Sequence, residues 1–274
     1  MTIGLAEVTE LSRVALTVAN EAAAVLVSGY RSRPRADEKG RADLVTEFDR
    51  RSEDQIKTRL RALTPEIQVI GEESAGSARP QGLVWYADPL DGTTNFVHGH
   101  PFFAVAIGLM YDDEPVAGAV VAPMIGARWR GFRLPSGGGE AYRNDEPCHV
   151  SPVTALSSSL IGTGFPGNRE ASPDNNFGSF VDVKRAAQAV RRCGAAAIDL
   201  CFVADGTYEG FWERRLQTWD VCASSAMILA AGGKVTALDG TPVRYHAGHI
   251  CASNGPIHEA LIAAIARGEK RKLP

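Results

Sequence analysis

The sequence lacks any excess of positive charge. Its 274 residues include 29 Lys and Arg against 32 Asp and Glu, which gives a formal net charge of -3. Proteins that bind nucleic acid through the phosphate backbone usually present a basic field. Short arginine-rich stretches such as Arg31 to Arg35 are more often solvated surface than binding patches. Nucleic acid is therefore not an expected partner.

Cysteine is scarce and shows no ligand-like spacing. The chain has five cysteines, none of them in a Cys-x-x-Cys arrangement. Cys201 and Cys251 lie within apolar runs. An odd number of scattered cysteines argues against a disulfide framework or a zinc site. We expect buried, reduced thiols and a cytoplasmic location.

Long apolar runs are also missing. No uninterrupted run approaches the roughly 18 residues that a membrane span requires. The first residues include Glu7 and Glu10 and lack the basic-then-apolar pattern of a signal peptide. Hydrophobic residues make up 45% of the chain and charged residues 22%, as is typical of a globular protein. The sequence predicts no membrane partner.

The spacing of apolar residues predicts two halves of different character. Residues 5–28 show helical periodicity, and a second helix begins near Thr46 and ends at Pro65. Strand signals then follow closely up to about residue 150, which predicts an antiparallel sheet. Residues 151–274 alternate strands with helices, including one helix predicted over 176–190. The expected fold class is α+β in residues 1–150 and α/β in residues 151–274.

Acidic residues stand at the ends of predicted strands. Asp88 follows an apolar strand, and proline and glycine bend the chain so that Asp88 and Asp91 can point to one place. Gly92 allows the backbone to approach a ligand closely. Glu72 follows a second apolar strand after Gly71. This placement predicts a shared anionic site.

Two further carboxylates complete the candidate set. Asp220 opens a predicted helix, and Asp49 lies in the first part of the second helix. Each has an ordinary alternative, because Asp220 could simply cap a helix and Asp49 could be solvated. Clustered carboxylates repel one another unless a cation neutralises them. All-oxygen ligands suit magnesium, and shared carboxylates suit a two-metal phosphoryl site.

The motifs together resemble those of the inositol monophosphatase family of magnesium-dependent, lithium-sensitive phosphatases. The matching segments follow the family order: Asp43 to Thr46 with Asp49, Gly71-Glu72-Glu73-Ser74, Trp85 to Asn95, and Trp219-Asp220 followed by Ala231-Gly232-Gly233. The resemblance spans roughly residues 39 to 254. It implies a layered αβαβα sandwich, hydrolysis of a small phosphate monoester such as myo-inositol monophosphate, and a homodimer.

The resemblance also implies a ligand set for Mg²⁺. The expected ligands are strand-end and helix-start oxygens: Glu72, Asp88 and the Leu90 carbonyl for a first ion, and Asp88, Asp91 and Asp220 for a second. A third, weaker ion would lie near Glu72, with Lys39 and Glu73 beside it.

Catalytic and substrate-binding roles follow from the same resemblance. Glu72 and Thr93 would activate the attacking water, with Asp49 bonded to Thr93. Two loops and one strand end would contact the substrate, a small phosphorylated polyol: Gly92, Thr93, Thr94, Gly194, Ala195, Ala196 and Glu213.

Some residues depart from the family pattern on the substrate side. Ala195 stands where a threonine is common, and Arg214-Arg215 replaces an apolar-glycine pair. Histidinol phosphate, fructose 1,6-bisphosphate and phosphoadenosine phosphate therefore stay open as alternative substrates. A regulatory protein that binds a partner on the same fold is the alternative of another class. His98 and His100 are expected to be loop residues rather than ligands.

Overall fold

Two amphipathic helices form one outer face of the molecule. The computed structural model describes residues 3–40, 43–75, 80–167 and 174–270. Helix α1 (Leu5–Gly29) buries a stripe that includes Val8, Ala15 and Leu26. Helix α2 (Glu47–Leu63) begins after Thr46, whose hydroxyl accepts a hydrogen bond from the Phe48 N–H. Both helices confirm the periodicity of the sequence.

The first half of the chain forms a seven-stranded sheet in the order β3-β4-β5-β6-β7-β8-β9. Only β3 runs parallel to its neighbour β4, and the other pairs in this sheet are antiparallel. The strands are β3 (Gln68–Gly71), β4 (Leu83–Asp91), β5 (Ala104–Tyr111), β6 (Glu114–Ala122), β7 (Ala127–Arg133), β8 (Gly139–Arg143) and β9 (Glu146–Pro147).

Strand β4 extends further than the sequence predicts. The expected end at Ala87 is wrong, since pairing with β5 continues to Asp91. Asp88 pairs with Ala106 and Asp91 with Ala104, so one extra residue is accommodated in β4. Such a bulge bends the strand and redirects its side chains. Asp88 and Asp91 therefore project from an irregular strand rather than from a loop.

The second half forms a five-stranded mixed sheet in the order β11-β10-β12-β14-β13. Strand β10 runs parallel to β11 and β12, and β14 runs antiparallel to β12 and β13. The strands are β10 (Leu160–Thr163), β11 (Ala189–Arg191), β12 (Gly210–Glu213), β13 (Lys234–Thr236) and β14 (Ile250–Ser253). The short helix α3 (Thr93–Val97) follows β4 in the first half, and the helices of the second half are α4 (Phe177–Ala186), α5 (Ala196–Ala204), α6 (Thr218–Ala230) and α7 (His258–Glu269).

Two elements differ from the sequence expectation. Helix α4 ends at Ala186 rather than near residue 190, because Ala189–Arg191 pair with β10 as a strand. Pairing in the sheet overrides the helical propensity of this alanine-containing stretch. The segment before α2 is a hairpin of β1 (Ala36–Gly40) and β2 (Asp43–Thr46), where only a break between helices was expected.

Three apolar cores hold five alternating layers of helices and sheets together. The first core joins α1 and α2 to one face of the seven-stranded sheet. The second lies between that sheet and the five-stranded sheet and contains residues of α5 and α6, such as Ile198 and Met227. The third joins the other face of the five-stranded sheet to α4 and α7. This arrangement confirms the αβαβα sandwich.

The middle core bears on the proposed division near residue 150. Strands of the first sheet contribute Ala106 and Val120 to it, and the second half contributes Ile198 and Phe211. Helix α6 packs on β5, β6 and β7 as well as on β13 and β14. The two halves share a core, so the boundary at 150 stays a description of the chain rather than of independent folding units.

Helix α1 is the one segment of the described chain that could span a membrane by length and composition. An 18-residue window of this helix has a mean hydropathy of 1.3. The search of the sequence for uninterrupted apolar runs did not detect this window. Nearly half of that window is buried inside the protein. The helix packs against α2, β5, β6 and β7, as core helices do.

The five cysteines are all free thiols. Cys201, Cys222 and Cys251 are buried, and burial raises the pKa of each of these thiols. Raised thiol pKa values disfavour the reactive thiolate, which is consistent with a structural role.

A buried histidine provides a test of the packing around α7. His258 is fully buried, with Nε2 at 2.9 Å from Thr236 Oγ1 and Nδ1 at 2.8 Å from Ser253 Oγ. Burial, with a smaller contribution from the charge of Lys234, lowers the pKa of His258 to about 4. The unfolded chain, with a histidine pKa near 6.5, therefore binds more protons between these values.

We expect His258 to make the folded state less stable as the pH falls from about 6.5 towards about 4. The linked loss is at most about 1.4 kcal/mol per pH unit. Urea unfolding at several pH values should show that the free energy of unfolding falls more steeply with decreasing pH for the unmodified protein than for His258→Asn. Parallel curves for the two proteins would show that the ring titrates normally.

Candidate active site

The acidic motifs of the sequence meet at a cavity of about 200 Å³ between the two sheets. Its lining is mostly polar and comes from both halves of the chain. The residues that line it include Glu72, Asp88, Leu90, Asp91, Gly92, Thr93, Thr163, Gly164, Arg192, Gly194, Ala195, Ala196, Asp199, Glu213, Leu216 and Asp220. The structure thus brings four of the sequence-predicted carboxylates, Glu72, Asp88, Asp91 and Asp220, to one place.

The bulge in β4 fixes two of these carboxylates. Asp88 Oδ1 accepts a hydrogen bond from the Leu90 N–H at 2.9 Å. Asp91 accepts from the N–H groups of Ala196 at 3.2 Å and Ala197 at 2.7 Å. These donors are orphan groups of the first turn of α5, which a carboxylate stabilises well. Asp91 therefore holds the second half of the chain against the first.

Asp220 caps a helix and also lines the cavity. Its Oδ2 accepts a hydrogen bond from the Gln217 N–H at 2.6 Å in a capping box at the start of α6. The sequence left capping and ligand binding as alternatives, and the geometry is compatible with both. The cap fixes the side chain in an orientation from which it also borders the cavity.

Glu72 is positioned by a buried ion pair that the sequence analysis missed. Glu53 in α2 accepts a hydrogen bond from the Glu73 N–H at 2.7 Å and pairs with Lys57 at 2.8 Å. A side chain at Gly71 would lie only 2.5 Å from the Glu53 carboxylate, so glycine is required there. The i,i+4 spacing of Glu53 and Lys57 was the available signal, but it is common on exposed helices.

Like charges raise the pKa values of the clustered carboxylates. Burial and then the charges of Glu72, Asp91 and Asp220 raise the pKa of Asp88 well above its ordinary value. Burial raises the pKa of Asp91 to about 7, against the effect of the Ala197 and Ala196 N–H groups. Burial and then Glu72 raise the pKa of Asp220. The carboxylates therefore sense one another across the cavity.

This donor set fits a hard divalent cation. It consists of carboxylate oxygens with a strand carbonyl at Leu90, and magnesium prefers such oxygen ligands. Among the described residues, no three His, Cys, Asp or Glu side chains lie close enough together to hold a metal ion. Their shared cavity and mutual repulsion are what a cation would relieve.

A hydroxyl group links the cavity to a buried aspartate. Thr93 Oγ1 lies 3.1 Å from Asp49 Oδ1 and 3.1 Å from the Leu90 carbonyl oxygen. Asp49 is buried, and its Oδ2 accepts from the N–H and the hydroxyl of Thr46 at 2.7 and 2.6 Å. Burial raises the pKa of Asp49, and these donors oppose the shift. Asp49 is therefore not solvated but is fixed behind Thr93.

Gly92 and Asn95 join the loop after β4 to the loop before α5. Gly92 has φ of 89°, and a Cβ there would lie 3.0 Å from the Phe102 carbonyl and 3.2 Å from that of Gly194. Asn95 Nδ2 donates to the Phe102 carbonyl at 2.6 Å and to the Cys193 carbonyl at 2.9 Å. The sequence predicted that Gly92 lets the backbone approach a ligand, which stays a prediction; the close approach to the Phe102 and Gly194 carbonyls and the contacts of Asn95 were not predicted.

The far wall of the cavity carries Glu213 at the end of β12. Burial, and then the charge of Asp199, raises the pKa of Glu213 to about 8. A side chain at Gly164 would lie about 2.1 Å from the Glu213 carboxylate, so this glycine makes room for it. Arg192 and Asp199 share this wall, and sequence reasoning identified neither.

Arg214 is not on the substrate side, contrary to the sequence interpretation. Its side chain is buried away from the cavity and pairs with Asp174 at 2.7 Å and with Glu269. Because β12 alternates the directions of its side chains, neighbours of Glu213 point to the opposite side. Arg214 therefore ties β12 to α7 and does not contact the cavity.

Other sequence candidates lie at the margins. Thr94 borders a second cavity of about 590 Å³, which shares Gly92, Thr93, Arg192 and Gly194 with the first. Glu73 does not line either cavity, and the side chain of Lys39 falls outside the described part of the structure. His98 and His100 are exposed and line neither cavity.

Comparison with known proteins shows which family and which relatives the chain resembles. The model of the inositol monophosphatase family matches residues 7–270. The chain is 42% identical to inositol-1-monophosphatase of Synechocystis over 84% of this chain and 79% of that protein. It is 37% identical to Nus factor SuhB of Pseudomonas aeruginosa over 92% and 94% of the two chains. The solved inositol monophosphatase of Anabaena is similar with a TM-score of 0.84 and 37% identity, over 94% and 96% of the chains.

The close approach at Gly92 can be tested against a matched glycine. Gly82 has a similar φ of 81°, but a Cβ there would meet no atom within 4 Å. We expect Gly82→Ala to cost about 1–2 kcal/mol from backbone strain alone. Gly92→Ala should cost about 1–3 kcal/mol more, because the neighbouring carbonyls must move.

Urea unfolding of the two variants and the unmodified protein provides the comparison. Equal losses of unfolding free energy would mean that the loops around Gly92 can open without cost.

Proposed function

Because the chain belongs to the inositol monophosphatase family, we propose that it hydrolyses a small polyol monophosphate, with myo-inositol monophosphate as its substrate. The family is magnesium-dependent. The observation that carries the proposal is the meeting of four repelling carboxylates from both halves of the chain in one cavity. Inositol-1-monophosphatases among its relatives support the choice of substrate.

The family resemblance supplies the cation ligands, and their common position on one cavity supports the assignment. Glu72, Asp88 and the Leu90 carbonyl would hold one Mg²⁺, and Asp88, Asp91 and Asp220 a second. When bound, magnesium supplies positive charge that neutralises the phosphate dianion and makes water more acidic. The assignment of a third ion near Glu72, with Glu73 and Lys39, stays a prediction of the resemblance.

The residues behind the ligands orient the attacking water. Asp49 is fixed by Thr46, so its Oδ1 can accept the hydroxyl hydrogen of Thr93. Thr93 Oγ1 then presents lone pairs to the cavity and can accept a hydrogen bond from water. Glu72, on the same cavity, would take the proton. Positioning and charge stabilisation dominate phosphoryl transfer, so no covalent nucleophile is required.

The two ends of the cavity divide phosphate from polyol. The backbone N–H groups of Gly92, Thr93 and Thr94 begin a short helix and would bind phosphate oxygens. Glu213 on the far wall would accept hydrogen bonds from hydroxyls of the leaving group. Gly194, Ala195 and Ala196 would lie beside the polyol ring.

A regulatory role is the second candidate, favoured by the similarity to Nus factor SuhB. A binding protein of that kind has no need for a buried, costly set of carboxylates, whereas an enzyme does. The sister substrates named above also stay open. A homodimeric state, lithium sensitivity and a cytoplasmic location stay predictions of the family resemblance.

Metal dependence tests the enzyme against the binding protein. We expect EDTA to abolish phosphate release from myo-inositol 1-phosphate and Mg²⁺ to restore it and raise the melting temperature. Asp91→Asn should lower kcat by about two orders of magnitude, as loss of one electrostatic stabiliser does. The exposed Asp113→Asn serves as the control for removal of an acidic charge.

Near-normal turnover of Asp91→Asn would remove Asp91 from the ligand set. Absence of Mg²⁺-dependent hydrolysis across a panel of phosphate esters would favour the regulatory role instead.

Direct attack by water makes a labelling prediction. A single turnover in oxygen-18 water should place one labelled oxygen in the released phosphate, because the water oxygen forms the new P–O bond while the ester P–O bond breaks and the polyol oxygen leaves as an alcohol, protonated by solvent. Mass spectrometry of the phosphate measures this. Acid quenching during turnover checks the alternative, since a phosphorylated protein would contradict a mechanism without a covalent intermediate.

A further inference from the structure

The polyol wall of the cavity contains a second buried carboxyl group, Asp199. It lies in the first turn of α5 and is about 1% exposed, yet it lines the same cavity as Glu213 and Arg192. Asp199 belongs to none of the motifs that identify the family resemblance. Its position three residues after Ala196 turns it towards the cavity from the helix that Asp91 caps.

One oxygen of Asp199 is not satisfied within the protein. Oδ1 is buried and has no hydrogen-bond partner among the described residues. Cys193 and Tyr208 donate hydrogen bonds to the carboxyl group, but Oδ1 receives none. A buried polar atom without a partner is costly, and each case in a folded protein requires an explanation. Because Asp199 lines the proposed substrate cavity, a bound ligand is the expected source of the missing hydrogen-bond donor.

The charges around Asp199 favour a hydroxyl over another cation as that donor. Arg192 lines the same wall. Burial raises the pKa values of both Asp199 and Glu213, and the Arg192 guanidinium opposes this shift for each. This wall therefore already contains a positive group, unlike the cluster around Asp88. A hydroxyl both donates and accepts hydrogen bonds, so it can pair with a carboxyl group in either protonation state.

We propose that Asp199 is a specificity-determining residue whose Oδ1 pairs with a hydroxyl of the leaving polyol, beside the hydroxyl that Glu213 takes. The inference rests on the proposed phosphatase function and narrows its substrate class. The site selects monophosphates whose leaving group has at least two hydroxyls close to the ester oxygen. Esters without such hydroxyls leave a buried carboxyl oxygen unpaired and are selected against.

The test compares two substrates in the full-length protein with Mg²⁺. Myo-inositol 1-phosphate carries the hydroxyls, and p-nitrophenyl phosphate has a leaving group without them. The preference is the ratio of the two kcat/KM values. We expect Asp199→Ala to lower this ratio about tenfold or more, mainly through KM for the inositol ester, as loss of one buried hydrogen bond does.

Two further variants separate recognition from structure. Asp199→Asn keeps an oxygen acceptor of the same shape and should retain most of the preference. Glu259→Ala also removes a first-turn acid from a helix, but Glu259 is exposed and pairs with Lys234 at the surface. It should leave the ratio unchanged. The melting temperature is measured for each variant, because Asp199→Ala removes an unsatisfied oxygen but also the acceptor for Cys193 and Tyr208.

The outcomes distinguish this inference from the proposed function. A preference that survives in Asp199→Ala, or an equal loss on both substrates with a lowered melting temperature, would overturn the role of Asp199 alone. An unmodified protein that hydrolyses p-nitrophenyl phosphate but prefers no polyol ester would overturn the inference and the proposed substrate together. Loss of all Mg²⁺-dependent hydrolysis in the unmodified protein would overturn the proposed function itself.

Discussion

The constraint on which this molecule depends is the burial of several like charges in one cavity. Burial and the charges of neighbouring carboxylates, Glu72 among them, raise the pKa values of Asp88, Asp91 and Asp220, so the folded chain must hold these groups together against repulsion. The αβαβα layers provide the necessary stiffness, because the middle core fixes both sheets around α5 and α6. The site therefore lowers the stability of the folded chain, and a bound cation would offset that loss.

The chain offsets this repulsion by one repeated device, a backbone N–H donated to each aspartate. Leu90 donates to Asp88, Ala197 to Asp91, Gln217 to Asp220 and Thr46 to Asp49. Three of these contacts lie at the starts of α2, α5 and α6, where helix dipoles favour negative charge. Capping and ligand orientation are therefore the same interaction, and treating them as alternatives, as sequence reasoning does, separates two roles of one hydrogen bond.

The parts of the fold that local sequence determines were predictable, and those that tertiary contacts determine were not. The periodicity of α1 and the turn residues around Pro65 predict the outer helices, and strand-end acids predict the anionic cavity. The end of α4 depends on pairing of Ala189–Arg191 with β10, which no local pattern encodes. The Glu53–Lys57 pair looks like a surface pair in sequence, because its burial depends on the approach of Gly71.

The same distinction separates the two ends of the cavity. The proposed cation ligands lie in compact motifs, because one bulge and two helix starts hold them with fixed spacing. The proposed polyol wall comes from the loop at Arg192, α5 and β12, which all lie within residues 192–213, and neither Arg192 nor Asp199 belongs to a motif of the family resemblance. Glu213 and Asp199 come from different elements than Asp88, but α5 is also the helix that Asp91 caps, so the two ends of the cavity are coupled at that carboxylate. Asp199, the proposed selectivity residue that the resemblance does not include, is found from its burial and its unsatisfied oxygen rather than from a motif.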